Sequence, residues 1–139
     1  MSKLSSILLV DDDDTTNFVN QMLLEDMEVA DQILTATNGQ EALSVIKRQC
    51  AQGCCPSLVL LDINMPVMNG FEFLEAYEQL DLDNKQSVVV VMLTTSLNPK
   101  DLERLGDLPN RGFLNKPLTA DMVKQLLQTH FEQDARGAN

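Results

Sequence analysis

The sequence predicts an α/β fold: a doubly wound five-stranded parallel sheet with helices on both faces, built from a strand–helix unit used five times. Three observations predict it. Short apolar segments rich in β-branched residues alternate with stretches of helical period. The strand-like segments are apolar at successive positions, as buried parallel strands require. The length, 139 residues, suits one core with a sheet between two helical layers.

Taken in order, Ile7–Val10, Ile33–Ala36, Leu58–Leu61 and Val88–Leu93 read as buried strands, and the weaker segment Gly112–Asn115 completes the set. Between them run apolar stripes at helical spacing. Phe18, Val19, Met22, Leu23 and Met27 form the first, and Ala42, Leu43, Ile46 and Cys50 the second. Phe71, Leu74, Tyr77 and Leu80 stripe the third helix, Leu102 and Leu105 a shorter fourth, and Met122, Val123, Leu126, Leu127 and Phe131 the fifth. Asn38 with Glu41 has the form of a capping box, Asn98-Pro99 that of a helix start, and Thr119 that of an N-cap. Strands alternating with single helices take right-handed crossovers, and ligands of such sheets gather beyond the carboxyl ends of the strands.

Composition narrows the function. Twenty-one acidic residues against 10 basic ones give a net charge of −11, which repels nucleic-acid phosphates and anionic lipid, so neither nucleic acid nor membrane is expected as a partner. The apolar run Val88–Leu93 is far too short to span a bilayer. Residues 1–6 lack a signal-peptide pattern, which predicts a cytoplasmic location. Cys50, Cys54 and Cys55 lack metal-site spacing and read as reduced thiols of no assigned role.

Each predicted strand ends in a chemically active type: Asp11-Asp12-Asp13-Asp14 after the first, Asp62 after the third, Thr94-Thr95-Ser96 at the fourth, Asn115-Lys116 at the fifth. A single Asp after a strand is ordinarily a turn former or cap. Four acids in one turn exceed what capping uses, and like charges about 4 Å apart repel by roughly 4 kcal/mol at a protein surface. A hard divalent cation with oxygen ligands relieves this, and Mg²⁺ characteristically takes one or two carboxylates together with a phosphate. A carboxylate can accept a phosphoryl group where neighbouring cations neutralise the charge, and Lys116 is such a cation. Thr94 offers a hydroxyl donor.

Ile7–Asp12, Leu60-Leu-Asp62-Ile-Asn64-Met-Pro66-Val-Met-Asn-Gly70, Met92–Thr94 and Gly112–Pro117 together resemble the receiver domain of two-component response regulators, over residues 5–131, with 132–139 a short polar tail. The resemblance implies a flavodoxin-like fold with strand order 2-1-3-4-5, and a phosphoryl group accepted on Asp62 from a sensor histidine kinase or a histidine phosphotransfer protein. It implies Mg²⁺ held by Asp12 and Asp62 directly, by Asp11 through water and by the Asn64 carbonyl. Lys116, Thr94 and the Thr95 amide would contact the phosphoryl group, and Lys116-Pro117 would be cis. Thr94 and Phe113 would act as switch residues read on the face of the fourth helix, fifth strand and fifth helix, which is also where a homodimer would form.

By length the chain is similar to single-domain members such as the chemotaxis regulator, signalling through an unknown downstream protein with no enzymatic activity beyond its own phosphorylation and dephosphorylation. Asn64 and Ser96 fall where the family tunes phosphoryl lifetime. The alternative is a haloacid-dehalogenase-type phosphatase using Asp11 and Asp13 in a D-x-D-x-T opening; it lacks the acidic pair after its lysine and leaves Asp62 without a task.

Overall fold

Successive side chains of continuously apolar strands point to opposite faces of the sheet, so both faces need cover. A computed structural model of the chain describes residues 4–63, 68, 70–80, 88–94, 111–116 and 118–129. The strands are β1 (Leu4–Val10), β2 (Ala30–Ala36), β3 (Leu58–Asp62), β4 (Val89–Thr94) and β5 (Arg111–Asn115). They form one parallel sheet in the order β2-β1-β3-β4-β5, as the resemblance implies. Helices α1 (Asp14–Met27), α2 (Gly39–Ala51), α3 (Gly70–Glu78) and α4 (Ala120–Leu127, the fifth predicted from sequence) cover it. The predicted fourth helix, its Asn98-Pro99 start, Phe131 and the tail 132–139 lie outside the described residues.

One strand face, with Leu8, Val10, Val59, Leu61, Val90 and Met92, packs with Ala42 and Ile46 of α2 and Phe71, Phe73 and Tyr77 of α3. The other, with Ile7, Leu9, Leu58, Leu60, Val91 and Leu93, packs with Leu24 of α1 and Val123 and Leu126 of α4. Ile7, Leu8, Leu60 and Leu61 are at most 1% exposed, each stabilising the fold by roughly 1.5–3 kcal/mol.

Two expectations are corrected. The apolar stripe assigned to α1 faces the wrong way: Phe18, Val19 and Met22 are 62%, 56% and 53% exposed, while Asn17, Asn20 and Leu24 are buried, with Leu23 and Met27 at the margin of the core. The inward face is set by Leu24 and by an amide needed at the strand ends, described below. The cysteines also differ from three reduced thiols, because Cys50 and Cys55 form a disulfide and Cys54 is an exposed free thiol. After α2 the chain reverses through Gly53, at φ 77°, which returns Cys55 to the last turn of the helix.

The predicted caps form. The Glu41 amide donates to Asn38 Oδ1 at 2.8 Å, and Glu41 Oε1 accepts from the Thr37 amide at 2.7 Å. The Met122 amide donates to Thr119 Oγ1 at 3.2 Å.

Candidate functional site

Strand register decides which side chains meet. Val10 lies opposite Leu61, Asp62 opposite Leu93, and Thr94 opposite Asn115, so Asp11, Asp62, Thr94 and Lys116 all arrive at the carboxyl edge of the sheet. Backbone bonds continue the ladder past the strand ends: the Asp11 amide donates to the Ala36 carbonyl at 3.1 Å, Ile63 to Leu93 at 3.2 Å, and Lys116 to Thr94 at 2.7 Å. Asp11, Asp62 and Thr94 are 4%, 7% and 5% exposed, an unusual depth for two carboxylates.

Asp11, Asp12 and Asp62 each bring a carboxylate oxygen within 4.8 Å of the others. The Lys116 ammonium donates to Asp11 Oδ2 at 2.9 Å and stands 3.4 Å from Asp62 Oδ1. Asp11 Oδ1 accepts the Asp13 amide at 2.9 Å, so both its oxygens are engaged. Burial works against the Lys116 charge, but the hydrogen bond it donates to Asp11 and the charges of Asp62 and Asp11 outweigh it and hold the pKa above the ordinary lysine value of 10.5. The lysine stays cationic and offsets only part of the charge of three carboxylates.

A hard cation fits what is left. The donors are carboxylate oxygens, one exposed and two buried, converging on one point, and they suit a small oxygen-seeking divalent ion such as Mg²⁺ better than a soft metal. Asp13 stands apart: its two oxygens accept from the Thr15 amide and the Thr16 hydroxyl, each at 3.0 Å, capping α1. An Asp11/Asp13 catalytic pair, which the dehalogenase-type alternative needs, is not what the fold assembles.

Of the predicted site residues, Asp11, Asp12, Asp62, Thr94 and Lys116 are brought to one edge, and Phe113 lies in β5 in register with Met92. Asn64, Thr95, Ser96 and the Lys116-Pro117 bond, with Pro117, lie outside the described residues. Sequence reasoning missed Asn17, buried in the first turn of α1, whose Nδ2 donates to the Asp11 carbonyl at 3.0 Å and the Ala36 carbonyl at 3.1 Å. The available signal was an asparagine aligned with Asn20 and Leu24 at helical spacing on the face opposite Phe18.

Comparison with known proteins agrees with this geometry. Residues 7–128 match the family described as response regulator receiver domain. The hybrid signal transduction histidine kinase B of Dictyostelium discoideum is 34% identical over 92% of this chain, which spans 7% of that protein. The transcriptional regulatory protein LnrK of Bacillus subtilis is 35% identical over 89% of the chain, which covers 53% of it. The chain thus spans about half or less of these relatives. Among solved structures, a two-component response regulator from Cytophaga hutchinsonii superposes with a TM-score of 0.86 at 31% identity, covering 94% of this chain and 99% of that one. The chemotaxis protein CheY4 of Vibrio cholerae gives 0.74 at 29% identity, with 92% and 99% covered.

Proposed function

Since the chain belongs to the response regulator receiver domain family, we propose that it is a phosphoacceptor switch of two-component signalling, with Asp62 as the residue phosphorylated. One observation carries the reading: a buried carboxylate at the end of β3 shares a lysine with Asp11 and lies within 4.8 Å of the carboxylates of Asp11 and Asp12. Such a site is short of positive charge by itself and is suited to a reaction that adds a metal and a phosphoryl group together.

An Asp62 carboxylate oxygen bonds to phosphorus while the P–N bond of a phosphohistidine, or the P–O bond of acetyl phosphate, breaks; the leaving group departs opposite. Asp12, Asp62 and the Asn64 carbonyl directly, and Asp11 through water, would hold Mg²⁺, which would supply the charge neutralisation that lets a carboxylate approach a phosphoryl group. Lys116 turns from Asp62 to the new phosphoryl oxygens, and the Thr94 hydroxyl and Thr95 amide donate to them. Phe113, on the strand beside Thr94, passes the change to the β5–α4 surface, so that phosphorylation biases a two-state equilibrium. Phosphoryl lifetime rests on Asn64 and Ser96.

The family is one of signalling domains rather than catalysts, and the activity proposed is confined to gain and loss of this phosphoryl group. The donor is a sensor histidine kinase or histidine phosphotransfer protein. The output is contact with a downstream protein, or a second copy through the β5–α4 face. No described helix is long and apolar enough to cross a membrane, and the role proposed is a cytoplasmic one.

The test is intact mass after incubation with acetyl phosphate or phosphoramidate. One phosphoryl adduct is expected with Mg²⁺, none with chelator, and none for Asp62→Asn. An equal adduct on Asp62→Asn would place the chemistry elsewhere.

A further inference from the structure

We propose that Asn17 is a positioning residue for the acidic cluster, its side-chain amide fixing the Asp11–Asp12 peptide and so the point from which both carboxylates reach the cation. The inference rests on the phosphoacceptor reading, since it concerns how that same site binds its metal.

Asn17 is 5% exposed on the inward face of α1, beside Leu24. Its Nδ2 donates to the Asp11 carbonyl at 3.0 Å and to the Ala36 carbonyl at 3.1 Å. The Ala36 carbonyl also accepts the Asp11 amide at 3.1 Å. One side chain therefore ties together the ends of β1 and β2 and the start of α1. A peptide unit is planar, so anchoring the Asp11 carbonyl also orients the Asp12 amide in the same plane. The amide on the other side of the Asp11 α-carbon is held by Ala36, so both peptide planes flanking Asp11 are fixed. The carboxylate of Asp11 is then aimed at Lys116 by the backbone, and Asp12 hangs from a fixed point.

A second observation separates this from ordinary packing. Asn17 Oδ1 is buried with no hydrogen-bond partner among the described residues. An unsatisfied buried acceptor is destabilising. An apolar side chain at this inward position would remove the unpaired acceptor but lose both donated bonds and leave the Asp11 carbonyl without that donor, so the amide is explained by the carbonyls it holds.

Groups that orient metal ligands from behind characteristically change metal affinity 10–100-fold when removed. The experiment is a calorimetric Mg²⁺ titration of the full chain, of Asn17→Ala, and of Leu24→Ala, which damages the same helix face without touching the strand ends. All are measured at a temperature where circular dichroism shows them folded. The expected result is a Kd raised about tenfold or more for Asn17→Ala, little change for Leu24→Ala, and acetyl-phosphate labelling of Asn17→Ala that recovers at high Mg²⁺. If Asn17→Ala does not fold, Asn17→Ser is titrated under the same criterion. A wild-type chain that binds no Mg²⁺ overturns the phosphoacceptor reading; a wild type that binds with Asn17 variants that bind equally well overturns this inference alone.

Discussion

Lys116 shows how one side chain serves the site before any cation or phosphate arrives. It lies 2.9 Å from Asp11 and 3.4 Å from Asp62, with its own side chain 21% exposed. Removing it leaves two buried carboxylates facing each other, and a half-broken buried pair ordinarily destabilises by about 3–5 kcal/mol. Partial solvation of the lysine reduces this, so Lys116→Met is expected to lose roughly 1–3 kcal/mol in urea denaturation without metal. The pH dependence has a definite sign. Because the folded pKa lies above the unfolded 10.5, the contribution is complete below that value and disappears as pH climbs through the folded pKa. The stability gap between wild type and Lys116→Met should therefore narrow in alkali above 10.5; a gap that stays constant there would refute the ion-pair assignment. Lys116, Asp62 and Thr94 were legible in the sequence because each follows a recognisable strand. Asn17 was not, because its task is to hold backbone carbonyls, and nothing in residue order shows which carbonyls lie nearby.

Among the elements, caps were readable, and so were the inward faces of α2, α3 and α4, while that of α1 was not. The Asn38 and Thr119 caps are local, depending on atoms three residues away, and both form as the sequence predicts. The inward face of α1 is a tertiary matter: the stripe of Phe18, Val19 and Met22 satisfied helical period yet points to solvent. That exposed stripe is continuous with the site, because Val19, Thr15, Thr16 and Lys116 line one cavity of about 230 Å³. On the phosphoacceptor reading, a protein presenting a phosphohistidine to Asp62 would dock on this edge, with an apolar contact surface and basic flanks to match exposed Asp14, Glu25 and Asp26. Phe18→Ser is expected to leave stability within about 0.5 kcal/mol, being a change of exposed surface. Transfer from a phosphohistidine protein should slow about tenfold or more, since central aromatic anchors dominate interface energy. Labelling by acetyl phosphate, which needs no docking, should be unchanged. Equal slowing with both donors would mean that the substitution harms the site itself rather than the docking face.

At the scale of the whole molecule, the parallel sheet concentrates charge that Lys116 relieves only in part. Crossover topology sends every strand's carboxyl end to one edge, and in this chain that edge carries Asp11, Asp12 and Asp62 within a molecule of net charge −11. A parallel sheet with helices on both faces was readable from apolar strands joined by single helices, whereas the order β2-β1-β3-β4-β5 followed from the family resemblance, since the same alternation permits other doubly wound orders. Register, which brings Lys116 to within 3.4 Å of Asp62, was not readable, because continuous apolar strands such as Val89–Leu93 carry no alternation to fix it. A fold that gathers like charge in this way is most stable when a cation binds the folded state and not the unfolded one. Stabilisation then grows as RT ln(1 + [L]/Kd), reaching about 2.7 kcal/mol at a hundredfold excess over Kd. Millimolar Mg²⁺ is therefore expected to raise the thermal midpoint by several degrees, in line with about 2–8 °C per kcal/mol for domains of roughly this size. Sodium chloride at equal ionic strength should do much less, because screening weakens long-range repulsion without bridging carboxylates. Asp12→Asn should reduce the Mg²⁺ increment while leaving the salt response intact. Matching shifts with Mg²⁺ and sodium chloride, or an increment untouched in Asp12→Asn, would show that the acidic edge is only screened and that no specific cation site exists there.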